Sequence, residues 1–507
     1  MPMTNTSLPA CRSGHRSHAR ARAQIAALLL CLLAGGVGAC SPDRVLGDKP
    51  LPPDVPDPTQ THTAAGAIAA YHGALVTLRN AFAGNEQSYV PVSGLLTDEL
   101  RYGDLGQIGS LNGPMLVDSR FMPEDPGVGS DAITASPIIE VYGLLHKVRG
   151  QAREARGALL AYAPDSSPSL VGHLDAVEAY ADVFLADLFC SGVPLSTLDF
   201  GGDFTYAAGS STEEVYAQAM ALFDSALAVS TDSEAVMNLA RLGKGRVLLA
   251  LGRYAEAAQA VADVPDDFRY ALQYSNTGPA QDHALDLSNR SFVFGDMGGE
   301  FNGSMPLTVA DTEGGNGLPF LSSRDPRSAS VVVDTNRYGH ARWRLASLPA
   351  DGSGSIVLAS GVEARLIQAE AALQAGGADW LAMLNALRND GTFDTRPDSA
   401  DPAQTDTLWH AGSGGVPGLA PLSDPGTPDE RLSLLFQERG YWLFLTGHRQ
   451  GDLRRLVRAY GRQQQYVFPI GTYPGAYNTY GTDVTAPIPG AERISNPLFT
   501  GCRSRGA

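Results

Sequence analysis

Apolar residues recur at steps of three and four over most of the chain after residue 63. This spacing is that of helices with one buried face. The segments Ala67–Phe82 and His173–Phe189 both show it. A third segment opens with Ser211 and Glu214 at the spacing of a capping box, which indicates a helix start. The sequence therefore predicts a mainly α fold.

Two segments predict pairs of helices joined by short turns. In Asn238–Val261 a helix rich in small residues ends near Gly252, and a second begins at once with Tyr254. The junction "ALGRYAEAA" resembles the turn of a tetratricopeptide helical hairpin, with a glycine ending one helix and alanines allowing close approach. Glu363–Arg388 shows a weaker version. Because the pairs do not repeat at a fixed period, we expect helical hairpins within one domain and no regular solenoid.

Two stretches, near residues 85–130 and 265–354, are rich in Gly, Ser, Asn, Asp and aromatic residues. Long irregular insertions in a helical frame are unusual unless they carry function. We therefore predict one α-rich domain over residues 63–507, with tetratricopeptide-like hairpins and two long loop insertions.

The N-terminus has the features of an export signal. A basic start precedes the apolar run Ile25–Val37, which is too short to span a membrane comfortably. The run ends in "VGAC", which resembles a bacterial lipobox, so residues 1–39 are predicted to be a lipoprotein signal peptide and Cys40 the lipidated residue. Ser41 favours the outer membrane over retention at the inner one. Residues 40–62 are predicted to be a semi-extended tether, because Lys49–Gln60 contains five prolines.

Removal of residues 1–39 takes away four arginines and no acid, so the formal charge moves from −17 to −17 − 4 = −21. So acidic a chain is a poor partner for nucleic acid. Cys190 and Cys502 remain, and the sequence allows either a disulfide or two free thiols. Their spacing predicts no metal site.

No motif for a catalytic or cofactor chemistry is present. The chain lacks a phosphate-binding GxxxxGK[ST], a GxGxxG after a strand, HExxH, paired CxxC and GxSxG. We therefore predict a protein that is not an enzyme and binds no metal or cofactor. A carboxylate pair for glycoside hydrolysis is set by tertiary geometry, so counting acids does not exclude one.

The segment Glu438–Leu456, "ERGYWLFLTGHRQGDLRRL", threads charges through large apolar residues. Glu438 and Arg449 could be a catalytic acid and electrophile, or the charges could be ion pairs that hold helices together. We favour ion pairs, since half-buried charges without partners are costly and acid–Arg pairs on helices usually serve architecture. The predicted structural charge network consists of Glu438, Arg439, Arg449 and Asp452.

This segment resembles the near-C-terminal signature of SusD/RagB-like nutrient-binding lipoproteins. The matching residues are Glu438, Arg439, Gly447, Arg449, Asp452, Leu453 and Arg455. Leu443 and Thr446 stand where the family usually has acids, so part of its charge network is absent. Further similar elements occur in the family's order: "DLFCSGVPLS", "SRDPR", "EARLIQAEAAL" with "LNALR", and "APIPGAERISNP".

The resemblance implies a non-catalytic, lipid-anchored protein of the outer membrane, facing the cell surface. Its partner would be a SusC-like TonB-dependent transporter, over which it would sit as a lid and capture oligosaccharide or another polymeric nutrient. The hairpin face would dock the transporter, and the insertion face would hold a glycan or peptide ligand. Sugar binding needs exposed aromatic faces and planar polar groups. The candidates in the insertions are Asp98, Tyr102, Phe121, Phe301, Asn302, Phe320 and Trp343.

Two other functions are compatible with the sequence. A periplasmic helical-repeat scaffold would bind proteins only and would have no concave aromatic site. A surface glycoside hydrolase would place two carboxyl groups across a cleft at roughly 5–10 Å and would turn over a glycan.

Overall fold

The structure is a computed structural model, and it describes eleven stretches of the chain. These are residues 62–102, 113–127, 136–198, 203–275, 307–335, 341–345, 354–389, 391–397, 405–411, 419–473 and 479–507. The predicted signal peptide 1–39, Cys40 and the tether up to residue 61 lie outside the described residues. Residues 61–507 group into one compact unit.

Helices form about half of the described chain and the strands are short, so the prediction of a mainly α fold is confirmed. The helices are α1 Ala64–Ala83, α2 Tyr89–Leu96, α3 Gly113–Asp118, α4 Ser136–Tyr162, α5 Pro168–Leu188, α6 Thr212–Val229, α7 Glu234–Ala250, α8 Tyr254–Ala260, α9 Gly361–Gln374, α10 Asp379–Asn389, α11 Pro428–Trp442, α12 Arg449–Arg458 and α13 Gly490–Ser495. Within the described residues, none of these helices is both long and apolar enough to cross a membrane.

Short strands pair two by two, all antiparallel. They are β1 Leu100–Tyr102, β2 Val193–Pro194, β3 Thr197–Leu198, β4 Phe204–Thr205, β5 Gly209–Ser210, β6 Arg269–Tyr274, β7 Leu307–Val309, β8 Ser330–Thr335, β9 Ala341–Leu345, β10 Gly354–Ser360, β11 Gly391–Pro397 and β12 Thr405–Ala411. The pairs are β1–β7, β2–β5, β3–β4, β6–β10, β8–β9 and β11–β12.

The first helical hairpin, α7 with α8, forms where the sequence predicts it. Gly252, in the turn, has φ +71°, a conformation that favours glycine. On α7, a Cβ at Gly245 would lie 2.5 Å from Val261 Cγ1, so the missing side chain is what lets the segment after α8 pack closely. The helices of the second pair, α9 and α10, also pack against each other.

Helix α6 begins at the predicted capping box. The Ser211 side chain accepts a hydrogen bond from the Glu214 backbone N–H, and the Glu214 side chain accepts one from the Ser211 backbone N–H. The reciprocal bonds satisfy two N–H groups that a helix start leaves without partners.

Two hydrophobic clusters make up most of the core. The larger joins α1, α4, α5, α6 and α7, with Phe82, Phe184 and Phe223 fully buried. The second lies among α9, α10, α11 and α12, around Trp380 and Phe436. The described part of the first insertion adds to this interior, since every residue of α2 is buried.

Cys190 and Cys502 form a disulfide, which decides between the two states that the sequence allows. The bond ties the end of α5 to the C-terminal tail, 312 residues later. Backbone bridges flank it, one between Phe189 and Ala486 and one between Ser191 and Ser504. The tail is thereby held against the centre of the helical frame.

Candidate functional site

The strand pair β1–β7 joins the first insertion to the second. Leu100 lies opposite Val309 in this ladder. Beyond it, the Leu318 N–H donates to Asp98 Oδ2 at 2.8 Å. Two stretches that are far apart in the sequence therefore contribute to one region of the molecule.

A group of tyrosines and two carboxylates lies at this junction, and we call it the insertion cluster. Its members are Tyr102, Met115, Asp118, Glu313, Tyr473 and Tyr480. Asp118 Oδ2 accepts hydrogen bonds from the Tyr102 N–H at 2.8 Å and from the Tyr473 hydroxyl at 3.0 Å. The Tyr480 hydroxyl donates to Glu313 Oε2 at 2.6 Å. These bonds fix the tyrosine rings in place.

Burial raises the pKa of Asp118 to about 8, although the hydrogen bonds from Tyr102 and Tyr473 partly oppose the shift. The folded protein therefore holds a proton on Asp118 at pH values where the unfolded chain has lost it. Stability should then fall as the pH rises from about 4 to about 8.

We expect Asp118→Asn to remove the part of this pH dependence that Asp118 causes. The variant should match the wild type near pH 5 and exceed its free energy of unfolding by at least about 1 kcal/mol near pH 9. Urea unfolding at both pH values measures this. Asp263→Asn, at a carboxylate with 82% of its side chain exposed, is the control and should leave the pH profile unchanged. If the free energy of unfolding of the wild type rose relative to that of Asp118→Asn as the pH increased, the raised pKa of Asp118 would be contradicted.

Phe121 presents its ring at the edge of the insertion cluster and is 40% exposed. The preceding residue, Arg120, is buried with φ +61°, a strained value for a residue other than glycine. Its Nε donates to the Asp483 carbonyl at 2.6 Å. A Cβ at Gly481 would lie 2.1 Å from the Arg120 carbonyl oxygen, so only glycine fits there. The contacts of Arg120 with Asp483 and Gly481 thus fix the backbone next to Phe121, whose side chain is partly exposed.

The other residues predicted to bind ligand are placed differently. Asp98 and Phe320 are each 1% exposed, so neither side chain can reach a ligand at the surface, and Tyr102 is 6% exposed. Phe301 and Asn302 lie outside the described residues. Trp343 lies in β9, but its side chain is also outside the described part. Phe121 is the exposed member of the predicted set among the side chains that are described.

Sequence analysis missed Asp118, Glu313, Tyr473 and Tyr480. The stretch "TYPGAYNTYG", from Thr472 to Gly481, carries three tyrosines among small residues and is typical of an aromatic binding loop. That composition could have identified Tyr473 and Tyr480 as candidates from the sequence. Nothing in the sequence indicates that Asp118 pairs with Tyr473, which is 355 residues away.

The charged C-terminal segment lies beneath this region and is buried. Arg449 forms two hydrogen bonds of 2.6 Å to the carboxylate of Asp98, and the two side chains are 7% and 1% exposed. Arg449 thereby connects α12 to Asp98, two residues before β1. The pair positions the insertion; it does not face a cleft.

The remaining charges of the segment have buried partners as well. Arg439 binds both oxygens of Asp452, at 2.7 and 2.8 Å, and Arg455 binds both oxygens of Glu370, at 2.7 and 2.8 Å. The guanidinium groups outweigh the effect of burial and hold the pKa of Asp452 well below its usual range. These contacts join α11, α12 and α9.

Glu438 lies between two arginines from different parts of the chain. Its Oε2 accepts from Arg327 Nη1 at 2.8 Å and from Arg388 Nε at 3.0 Å. Burial alone would raise the pKa of Glu438, but the two arginines outweigh it and lower the pKa. A carboxylate held ionised by two cations accepts hydrogen bonds and is poorly suited to act as a general acid.

On the hairpin side, a groove of about 760 Å³ runs between α8, α9 and α10. Alanines such as Ala258 and Ala372 line it, together with Tyr254 and Met383. Gln374 also lines a neighbouring groove of about 360 Å³ against α11. This surface is open and mainly apolar.

Among the described residues, no group of three or more His, Cys, Asp or Glu side chains is arranged to hold a metal ion.

No protein-family profile matches the chain, and no curated protein matches it in sequence. Solved structures are similar in fold. One is a SusD superfamily protein from Bacteroides thetaiotaomicron, with a TM-score of 0.60, 15% identity, and coverage of 87% of this chain and 100% of that one. A laminarin-binding SusD-like protein has a TM-score of 0.56, 16% identity, and coverage of 87% and 99%. NanU from B. fragilis has a TM-score of 0.54, 16% identity, and coverage of 90% and 100%.

Proposed function

The chain has the SusD-like fold, and on that premise we propose that it is a non-catalytic lipoprotein that captures a glycan for import. It binds an oligosaccharide or another polymeric nutrient at the outer membrane and passes it to a SusC-like TonB-dependent transporter. The lipid on Cys40 and the proline-rich tether hold the folded part at the cell surface. The similar structure that is described as laminarin-binding supports a glycan as the ligand.

The observation that carries the proposal is the exposed ring of Phe121 beside the insertion cluster. A sugar ring binds by stacking its C–H groups on an aromatic face, while nearby polar groups take its hydroxyls. Phe121 offers such a face, and the strained, buried Arg120 fixes its direction. A rigid platform loses little side-chain entropy on binding.

We expect Phe121→Ala to weaken glycan binding by up to about tenfold, since an aromatic contact is worth about 0.5–1.5 kcal/mol beyond its buried area. A glycan array on the purified chain identifies a ligand, and calorimetry then compares the variant with the wild type. Phe204→Ala is the control, because Phe204 is a similarly exposed phenylalanine, at 55%, on the hairpin β3–β4.

The outcome separates three possibilities. Loss of affinity in Phe121→Ala alone supports the insertion face as the binding surface. Loss in Phe204→Ala alone would move the site to the β3–β4 hairpin. Release of shortened glycan from the unmodified protein would contradict a non-catalytic role and favour the hydrolase.

The groove between α8, α9 and α10 is the surface we assign to the transporter. It lies on helical hairpins, and its alanine lining leaves room for side chains of a partner. Ligand and transporter would then occupy different surfaces of this protein.

We expect Ala258→Arg to abolish copurification of a TonB-dependent β-barrel from outer-membrane extracts while leaving glycan affinity unchanged. The long charged side chain would fill the groove and bury a charge in the interface. Ala262→Arg, at an exposed position outside the groove lining, should copurify the barrel normally. Equal copurification by both variants would mean that the transporter docks elsewhere.

A further inference from the structure

A small, largely buried cavity lies where α5, α7, α9, α11 and α12 meet. Its volume is about 20 Å³, and it is separate from both the insertion cluster and the hairpin groove. Its lining includes Asp187, Arg246, Glu363, Arg439, His448 and Asp452. A polar cavity of this size in a helical core can hold a ligand of one or two atoms.

Two arginines that line this cavity each have one buried donor with no partner among the described residues. Arg246 binds Glu363 through Nε at 2.8 Å and through Nη2 at 3.0 Å, which leaves Nη1 unpaired and buried. Arg439 binds Asp452 through Nε and Nη2, which again leaves Nη1 unpaired and buried. A buried N–H without an acceptor costs about 1–3 kcal/mol, and more when the group is charged. The site therefore needs an acceptor.

The charges around the cavity require that acceptor to be neutral. Every guanidinium group that lines it already has a carboxylate partner. The pairs are Arg246–Glu363, Arg439–Asp452 and Arg455–Glu370. The carboxyl group of Asp187 also lines the cavity, and its Oδ1 accepts from the Tyr216 hydroxyl. With no surplus of positive charge, a halide would gain little to offset its desolvation.

We propose that this cavity binds a single internal water molecule. A cavity of roughly 10–15 Å³ or more is enough for one water if polar partners surround it. The water accepts hydrogen bonds from Arg246 Nη1 and Arg439 Nη1 and donates to the carboxyl group of Asp187. The water thereby links α7, α11 and α5. In the described part of the chain, no hydrogen bond joins the side chains of Arg246, Arg439 and Asp187 to one another directly.

Crystals of the purified chain, grown and then soaked in sodium bromide, test the identity of the ligand. We expect one electron-density peak of water height within 3.2 Å of both Nη1 atoms, the usual hydrogen-bond limit, and no bromine anomalous signal there. An empty cavity in well-ordered density would overturn the proposal. A bromine peak would overturn it too, since it would assign the site to an anion.

A variant tests the same site in solution. Ala250 lines the cavity, and Ala250→Ser places a hydroxyl where it can replace the water. Magnetic relaxation dispersion of the solvent should show one long-lived water fewer than in the wild type. Ala262→Ser, at an exposed position, is the control and should show no loss. An unchanged number of long-lived waters in a folded Ala250→Ser variant would count against the proposal.

Discussion

Replacing Arg449 by methionine should lower the free energy of unfolding by about 3–5 kcal/mol, the usual cost of leaving one partner of a buried ion pair alone. Arg449 and Asp98 are both buried and share two hydrogen bonds of 2.6 Å. Methionine keeps most of the volume of the side chain but leaves the Asp98 carboxylate without its counter-charge. Urea unfolding of the purified chain measures the change.

A matched exposed pair provides the control. Arg431 also binds a carboxylate through two hydrogen bonds, both of 2.7 Å to Asp424, but these side chains are 34% and 41% exposed. Arg431→Met should therefore leave the unfolding midpoint nearly unchanged, since water screens exposed pairs. Combining Asp98→Asn with Arg449→Met should recover part of the lost stability. Equal effects of Arg449→Met and Arg431→Met would contradict a buried, structural role for the C-terminal segment.

Removing the disulfide should cost about 2–5 kcal/mol, toward the upper end because the bond closes a very long loop. The two cysteines are 312 residues apart, so the bond restricts much of the unfolded chain. We expect the double variant Cys190→Ala with Cys502→Ala to unfold at a lower urea concentration than the oxidised wild type.

The reduced wild type is the internal control for this experiment. It keeps both sulfur atoms but loses the covalent bond, so it separates the bond from the packing of the Cys190 side chain, which is fully buried. The reduced wild type should lose most of the stability that the double variant loses. Identical midpoints for oxidised and reduced protein would show that the link contributes nothing to stability.

The ion-pair network also explains how the helical frame supports the proposed binding face. Asp98 lies two residues before β1, and its carboxylate joins Arg449 to the Leu318 N–H of the second insertion. The buried pair of Asp98 and Arg449 is therefore bonded to residues of both insertions. A binding site built on loops is held in place when those loops are bonded to rigid helices.

Local sequence pattern was sufficient for seven of the thirteen described helices, but not for α4 or for α2 and α3, which lie in a stretch predicted to be irregular. The spacing of apolar residues in Ala67–Phe82 and His173–Phe189, the capping box at Ser211 and the glycine turn at Gly252 each predict what the structure contains. These signals succeed because helix formation depends on residues three or four positions apart.

Partners distant in the chain could not be predicted in this way. The sequence indicates that Arg449 needs a buried acid, but the acid is Asp98, 351 residues earlier, and not Asp452 on the same helical face. Asp98 itself was predicted to bind ligand, yet it is enclosed. A single sequence contains no information about which two distant side chains meet, since that depends on how the helices pack.

Local sequence pattern accounts for the helical class, for seven of the thirteen described helices and for the need for a buried charge network. Tertiary structure alone decided that Cys190 and Cys502 are bonded, that the two insertions share the ladder β1–β7, and that Phe121 is exposed while Phe320 is buried. The physical reason is the range of the interactions. Periodicity and capping act within a few residues, whereas burial and ion pairing are properties of surfaces that exist only after the chain has folded.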